Sequence, residues 1–415
     1  MMLAKTAILI TAGFLLMTPG WLVLLKIAII MATGYLLMTS GWLMLLTIAS
    51  WFYRPKLERN GFPLRLLVII PAHNEEQQIK ATINNTRKCN YPQEFVDISV
   101  IADNCTDATA AAAANCGAQV HVRTDEHLRG KGAALDWFLR VNREHLEEYG
   151  GIVFIDADSC PERNMLRAFS QSLSHPEVDA VQGYNGVANP FENWRTALNS
   201  AAFNVFNHLR MAGNDRLFGS TVLKGLGMAF SPGLLVNSGW PANSEVEDVE
   251  FTIKLIENGR KVRYNSEAII TSEMAVCRKQ ADGQRRRWEG GRFALAWDMI
   301  PKLIKSIFLG KGRYLYLLAD LLIAPLSILV LLNLLVLLAA WIVMPAATFL
   351  PLLAFSVLVA YVISGQLQRK APLKLWLYLF TFPLFLIWKI AVYCSMLVLP
   401  RKRVWSRTLR KSELN

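Results

Sequence analysis

Apolar and polar positions divide this chain into three stretches. Residues 6 to 53 carry a single charge, Lys26, and residues 321 to 364 carry none. Each run exceeds the roughly 18 apolar residues that mark a bilayer-crossing helix. Between them the pattern changes. Leu66-Ile70, Val96-Ile101, Gln119-Val122 and Ile152-Ile155 are apolar runs of strand length, and helical periodicity fills Glu75-Lys88 and Gly132-Arg140. Strands alternating with helices predict an α/β domain with a mostly parallel, Rossmann-like sheet over residues 54–298. Such sheets bind ligands beyond the carboxyl ends of their strands. Pro71, Asp103 and Asp156 stand at those ends.

The flanks predict membrane helices over 1–53 and 317–400, an interface helix over 299–316 and a basic tail over 401–415. Residues 5 to 25 and 26 to 46 are tandem copies of one 21-residue segment, about one span each. They read as two helices ending near Tyr53, with a turn around Pro19-Gly20 and Lys26. The run is too long for a cleaved signal peptide. Three C-terminal spans are expected near 317–343, 347–364 and 374–399. Arg369, Lys370 and Lys374 claim one membrane side and the tail beginning at Arg401 claims the same side, which a single crossing between them cannot satisfy. Pro383 and Lys389 mark that last segment as bent, re-entrant or partly inserted. Residues 191–212 place Trp194, Leu198, Ala201, Val205 and Leu209 on one helix face, for the membrane interface or for the core.

The formal charge of +12 does not point to nucleic acid, because the excess lies beside the apolar runs, at Arg54, Lys56, Arg59 and the tail. Basic residues there mark cytoplasmic faces and anionic lipid. Six cysteines without a Cys-x-x-Cys pair point to reduced thiols rather than a zinc site or a disulfide framework.

Candidate chemistry lies in the middle stretch. Asp156-Ala157-Asp158 follows an apolar strand, and alternation there would aim both carboxylates one way, as a hard divalent cation requires; a helix cap at Asp158 or Ser159 is the structural alternative. Asp103, at the end of the second strand, can accept hydrogen bonds from a base or ribose. Gly130-Lys131-Gly132 opens a helix and can bring Lys131 to phosphate, without being a P-loop. Glu247-Asp248 opens another helix, either to suit its dipole or to supply a general base. Gln284, Arg287 and Trp288 lie in a basic run suited to phosphate and to stacking, or to a basic stripe beside the membrane.

Together, Pro71-Ala72-His73-Asn74-Glu75, Ala102-Asp103-Asn104-Cys105-Thr106-Asp107, Lys131-Gly132, Asp156-Ala157-Asp158, Glu247-Asp248 and Gln284-x-x-Arg287-Trp288 resemble the family 2 glycosyltransferases of the cellulose synthase, hyaluronan synthase and poly-N-acetylglucosamine synthase type. The resemblance implies a cytosolic GT-A domain between membrane helices at the plasma (inner) membrane. It implies an inverting hexosyltransferase with a nucleotide-sugar donor, most often UDP-linked, and Mg2+ or Mn2+. Pro71, Ala72, Glu75 and Asp103 would then line the nucleoside pocket, and Lys131 and Asp156 would face the nucleotide. Asp156 and Asp158 would hold the metal, and Asp248, beside Glu247, would be the base. Gln284, Arg287 and Trp288 would hold the diphosphate and the acceptor end. Gly225-Leu226-Gly227 departs from the common Gly-Thr-Gly, and Val246 replaces the common Thr. The acceptor is expected to be a growing polysaccharide, or alternatively a ceramide-like or polyprenyl membrane lipid. A transporter or nucleotide sensor is the reading from another class, and the spans offer no intramembrane acid other than Asp320 near an end, against a proton-coupled pump. Whether partner subunits are needed is not legible in the chain.

Overall fold

The computed structural model describes residues 19–398 except 60, 62, 126 and 241–245. Its strands are β1 (Leu66–Ala72), β2 (Val96–Asp103), β3 (Gln119–Arg123), β4 (Gly151–Phe154), β5 (Ser159–Pro161), β6 (Ala180–Val187), β7 (Met228–Phe230) and β8 (Val262–Ser272). They form one eight-stranded sheet in the order β3-β2-β1-β4-β7-β6-β8-β5. The four strands expected from the apolar runs are all present and mutually parallel. Beyond β4 the sheet changes character. β7 is antiparallel to both β4 and β6, and β5 is antiparallel to β8. The sheet is therefore mixed rather than mostly parallel. Met228-Ala229-Phe230 is too short to give a period, and it is this strand that reverses the direction.

Helices cover both faces because β1 is apolar on both. Leu66, Val68 and Ile70 enter a core with Ile79, Ile83, Met165 and Phe169. Leu67 and Ile69 alternate to the other side, with Leu135, Phe138, Phe251 and Leu255. This two-sided burial is what a near-continuous apolar strand requires. The helical segment Trp194 to Phe218 includes a π-helical stretch over Asn204–Leu209. Leu198, Ala201, Val205 and Leu209 are buried, so its apolar stripe faces protein, as in the core-facing reading.

Residues 278–308 form one helix of 31 residues. The amphipathic stretch expected to start near 299 is thus its C-terminal third, continuous with the Gln284–Trp288 run. Pro301 does not end the helix, although it removes one backbone donor.

The described parts of residues 1–45 and 323–363 make a separate compact unit. The helix Pro19–Trp51 contributes to it, as do Leu326–Val343 and most of Phe349–Gln368. All three helices are long and apolar enough to cross a membrane. Pro19–Trp51 runs unbroken through Lys26, where a turn was expected, because no residue after Gly20 breaks the helix; the first of the two expected helices lies outside the described residues. Ile29, Thr33, Leu36, Ser40 and Leu43 form its buried seam, and Ser40 Oγ donates to Ala354 O at 3.2 Å. Small polar residues in such seams let helices approach without oil–water segregation.

Within the larger unit, Gly213 lies against the backbone of Leu46: a Cβ there would stand 2.5 Å from the Leu46 carbonyl oxygen. Backbone cannot rotate away as a side chain can. Gly213→Ala is therefore expected to lower stability by about 1–3 kcal/mol, the usual cost of overpacking, read as a lower unfolding midpoint of the purified protein in detergent.

Candidate active site

The parallel register brings two loops together at the carboxyl edge of the sheet. Ala72 is level with Ala102, and Asp103 with Arg123. Pro71 and Ala72 end β1, and the next turn places Asn74 in the left-handed region at φ 55, with Asn104 matching it at φ 50. Asparagine tolerates this conformation because its short amide can bond locally. The Asn74 amide oxygen accepts from Thr106 N at 2.8 Å, and the Asn104 amide oxygen accepts from Asp125 N at 2.8 Å. Glu75 N donates to Thr109 Oγ1 at 2.7 Å, and His73 Nδ1 lies 2.8 Å from Asp103 O. These loops are pinned to each other before any ligand arrives.

Asp103 is less open than the sequence suggests. It is 5% exposed, and its Oδ1 accepts from Arg123 Nη1 at 2.6 Å and from Asn104 Nδ2 at 3.0 Å. Arg123 also binds Asp125 Oδ2 at 2.9 Å and Leu128 O at 2.7 Å. Oδ1 is thus committed to the fold.

Asp156-Ala157-Asp158 lies beyond the end of β4, in a turn rather than an extended strand. Ser159 N donates to Asp156 O at 3.1 Å, and Thr82 Oγ1 donates to Ala157 O at 2.7 Å. Strand alternation therefore does not orient the two carboxylates; the turn does. Asp156 accepts from the ammonium of Lys131, which also donates to Gly225 O. Lys131 begins its helix from Gly130, at φ 113, a conformation that glycine supplies at little cost.

Gly225 joins this group to the Glu247 helix. It has φ 73, and a Cβ on it would stand 3.3 Å from Asp248 Oδ2. Thr252 Oγ1, one turn along the same helix, accepts from Leu223 N at 3.0 Å and donates to Asp248 O at 2.9 Å. Gln182, fully buried, ties down the rest of the loop by accepting from Lys224 N at 2.7 Å and donating to Leu226 O at 2.7 Å. Asp156, Lys131, Glu247 and Asp248 thus share one electrostatic neighbourhood. Burial and then the neighbouring Asp248 charge push the Glu247 carboxyl up. Burial likewise raises that of Asp248. Burial alone would lower the Lys131 ammonium, but Asp156 and Glu247 more than offset it and hold it above its ordinary value.

Gln284 and Trp288 occupy a different wall. Trp288 tilts against Phe203 at 6.4 Å between ring centroids, with the Arg285 guanidinium 5.3 Å from the Trp288 ring. Arg285 also donates to Asn199 Oδ1. Among the described residues no hydrogen bond or ion pair joins Gln284 or Trp288 to Asp156, Lys131, Glu247 or Asp248. The side chain of Arg287 lies outside the described residues.

Three sets of contacts were not expected from the sequence. Arg123 partners Asp103, Gln182 fixes the Gly225–Gly227 loop, and Asp320 binds Arg210 Nη1 at 3.0 Å with Arg292 beside it at 3.8 Å. Burial disfavours the Asp320 charge, yet Lys224, Arg292 and Arg210 together hold its carboxyl well below the usual range. An acid at the edge of an apolar run was the available signal for Asp320. Gln182 gave none.

More than half of the chain, residues 63–291, matches the family described as Glycosyltransferase like family 2. The chain belongs to that family and is a glycosyltransferase. It is 26% identical over 261 residues to the probable glycosyltransferase YdaM of Bacillus subtilis, covering 60% of this chain and 61% of that protein. It is 26% identical over 247 residues to the beta-monoglucosyldiacylglycerol synthase of a Nostoc species, covering 57% and 51%. To the probable glucomannan 4-beta-mannosyltransferase 3 of Oryza sativa it is 23% identical over 245 residues, covering 56% and 44%. The matched region thus spans roughly half of these curated relatives. Among solved structures, the mannosyltransferase PcManGT from Pyrobaculum calidifontis, in complex with GDP-Man and Mn2+, is similar at a TM-score of 0.53 and 18% identity, covering 84% of this chain and 98% of that one. At that identity the likeness establishes a shared GT-A-like fold.

Arg123→Met would leave Asp103 charged, buried and without its ion partner. We expect a stability loss of about 3–5 kcal/mol, the usual result of breaking a buried pair from one side. Arg123→Met combined with Asp103→Asn should recover part of it. Unfolding midpoints of the two purified variants test this.

Proposed function

We propose that this protein is a membrane-bound inverting glycosyltransferase that moves a sugar from a nucleotide-sugar donor to a growing polysaccharide, from the cytosolic side of the plasma (inner) membrane. The observation that carries the reading is the convergence of Asp156, Lys131, Glu247 and Asp248 on the Gly225 loop, next to the paired strand-end loops around Asp103. In this reading Pro71, Ala72, Glu75 and Asp103 take the nucleoside. Lys131 draws the donor phosphates toward Asp156. Gln284, Arg287 and Trp288 hold the diphosphate and the acceptor end. The donor is expected to be UDP-linked on the sequence resemblance, whereas the structural relative holds a GDP-linked sugar.

A divalent cation fits this donor set. Asp156 and Asp158 offer hard oxygen ligands two positions apart, and the Asp248 charge, after burial, adds to the upward pressure on Glu247. When bound, Mg2+ or Mn2+ supplies positive charge against the leaving diphosphate. The remaining work belongs to the chain. Asp248, with a raised pKa, is a stronger base than a surface aspartate and takes the proton of the acceptor hydroxyl. Val249 N donates to its Oδ1 at 2.9 Å, which leaves Oδ2, the oxygen nearest Gly225, to face that hydroxyl. Attack from the face opposite the diphosphate inverts the anomeric carbon.

A second reading, transfer of one sugar to a membrane lipid of the ceramide-like or polyprenyl kind, is favoured by the likeness to the diacylglycerol-glucosylating enzyme of Nostoc. Product size separates the two: a polymer on gel filtration against a single lipid-linked sugar.

The test begins with a donor screen of the purified protein, reading nucleoside diphosphate release. On the productive donor, Asp248→Asn is expected to lower kcat at least about a hundredfold while donor affinity stays close to wild type, as loss of a general base does. If Asp248 serves only the helix terminus, turnover per folded molecule will stay near normal and stability alone will fall. Excess chelator should likewise stop turnover. Full activity in metal-free protein would remove the cation from the reaction.

A further inference from the structure

The last apolar segment is two helices, Leu373–Leu379 and Phe382–Met396, bent by 59° at the break between them. At 1.5 Å per residue they reach about 10 and 22 Å, each short of the roughly 30 Å of a hydrocarbon core, although together they are long and apolar enough for one broken span; packing rather than length separates the two cases. Both pack on the catalytic domain. Leu375 is buried with Ala197 and Ala201, and Phe385, Trp388 and Val392 with Leu198 and Ala281. Polar contacts then join the second piece to the helix Arg278–Phe308. Trp388 Nε1 donates to Asp282 Oδ1 at 2.7 Å, and the Lys389 ammonium pairs with Glu289 where both side chains are at most 10% exposed. The same ammonium lies 5.1 Å from the Tyr393 ring centre.

Asp282 and Glu289 are seven residues apart, two turns along one helix face. Gln284 to Trp288 lies between them. We propose that Leu373–Met396 does not cross the membrane but lies on the catalytic domain, and that Lys389 and Trp388 are positioning residues that pin the helix bearing Gln284 and Trp288 at both ends of that motif. A lysine facing lipid is costly. Here its charge is matched by a carboxylate of the catalytic domain. The arrangement also removes a conflict in the sequence: Arg369, Lys370 and Lys374 and the basic tail after Pro400 come to the same side, as the distribution of positive charge demands. The kinetic part rests on the transferase reading above, while the topological part is independent of it.

Two measurements on the full-length protein test this. In a background without the native cysteines, Lys370→Cys and Ser412→Cys are labelled with an impermeant thiol reagent on intact and on opened cells. Both are expected to label together, and only after opening; labelling of the Ser412 position alone from outside would show a crossing and overturn the proposal. The second measurement uses Glu289→Gln with Lys389→Met, which removes the buried pair and takes from Arg285 the carboxylate that favours its charge, so turnover is read per folded molecule beside the unfolding midpoint. Turnover is expected to fall at least about tenfold, the scale that small misplacement of a positioning element costs. The exchange Glu289→Lys with Lys389→Glu should restore it to within about threefold. Turnover of the neutral pair within about twofold of wild type would remove Lys389 as a positioning residue.

Discussion

The Lys131 ammonium ties Asp156 into the acidic site, while Lys224 adds positive charge beside Asp248. Asp156 comes from just beyond β4, Glu247 and Asp248 from a helix start nearly a hundred positions later, and burial works against Glu247 and Asp248 holding charge, with the Asp248 charge adding to the pressure on Glu247. Lys131 bridges Asp156 to the Gly225 carbonyl, and Gly225 is the residue whose missing Cβ lets Asp248 approach. A divalent cation bound there would relieve part of that pressure. Perturbed acids in a shared cleft are the usual mark of a reacting centre.

Charge also fixes the opposite wall. The helix Arg278–Phe308 is anchored by Arg285 to Asn199, by Glu289 to Lys389 and by Arg292 to Asp320. None of these contacts lies within one element. Glu289, Lys389 and Asp320 are buried and would be expensive to leave unpaired, so the register of Gln284 and Trp288 is set by residues far away in the chain. Asp320 adds a further link, since Arg210, on the helix beneath the sheet, shares it.

Much of the site was legible in the chain. The four parallel strands, the loops at their ends, and the helix starts at Lys131 and Glu247 follow from local apolar period and from glycine and asparagine at turns. Asn74 and Asn104 both occupy the left-handed region that their residue type allows. In the sheet's second half β5 and β7 were not legible, because each has three residues, too few for any period; β6 and β8 are longer and were not expected either. The orientation of Asp156 and Asp158 was misjudged for a related reason: the strand stops two residues early, and a turn tied by Thr82 takes over.

The sequence by itself determined the alternation of strands and helices, the two-sided burial of β1, the apolar helices and the residue types available for chemistry, because these depend on contacts or periods within a few turns of chain. The tertiary structure alone decided that Asp103 is half spent on Arg123, that Gln182 holds the Gly225 loop, and that Lys389 faces Glu289 rather than lipid. Those outcomes depend on pairs separated by 20, 42 and 100 positions. No local pattern encodes them, since the cost of leaving a buried charge or amide unpaired is felt only once the fold has removed it from water.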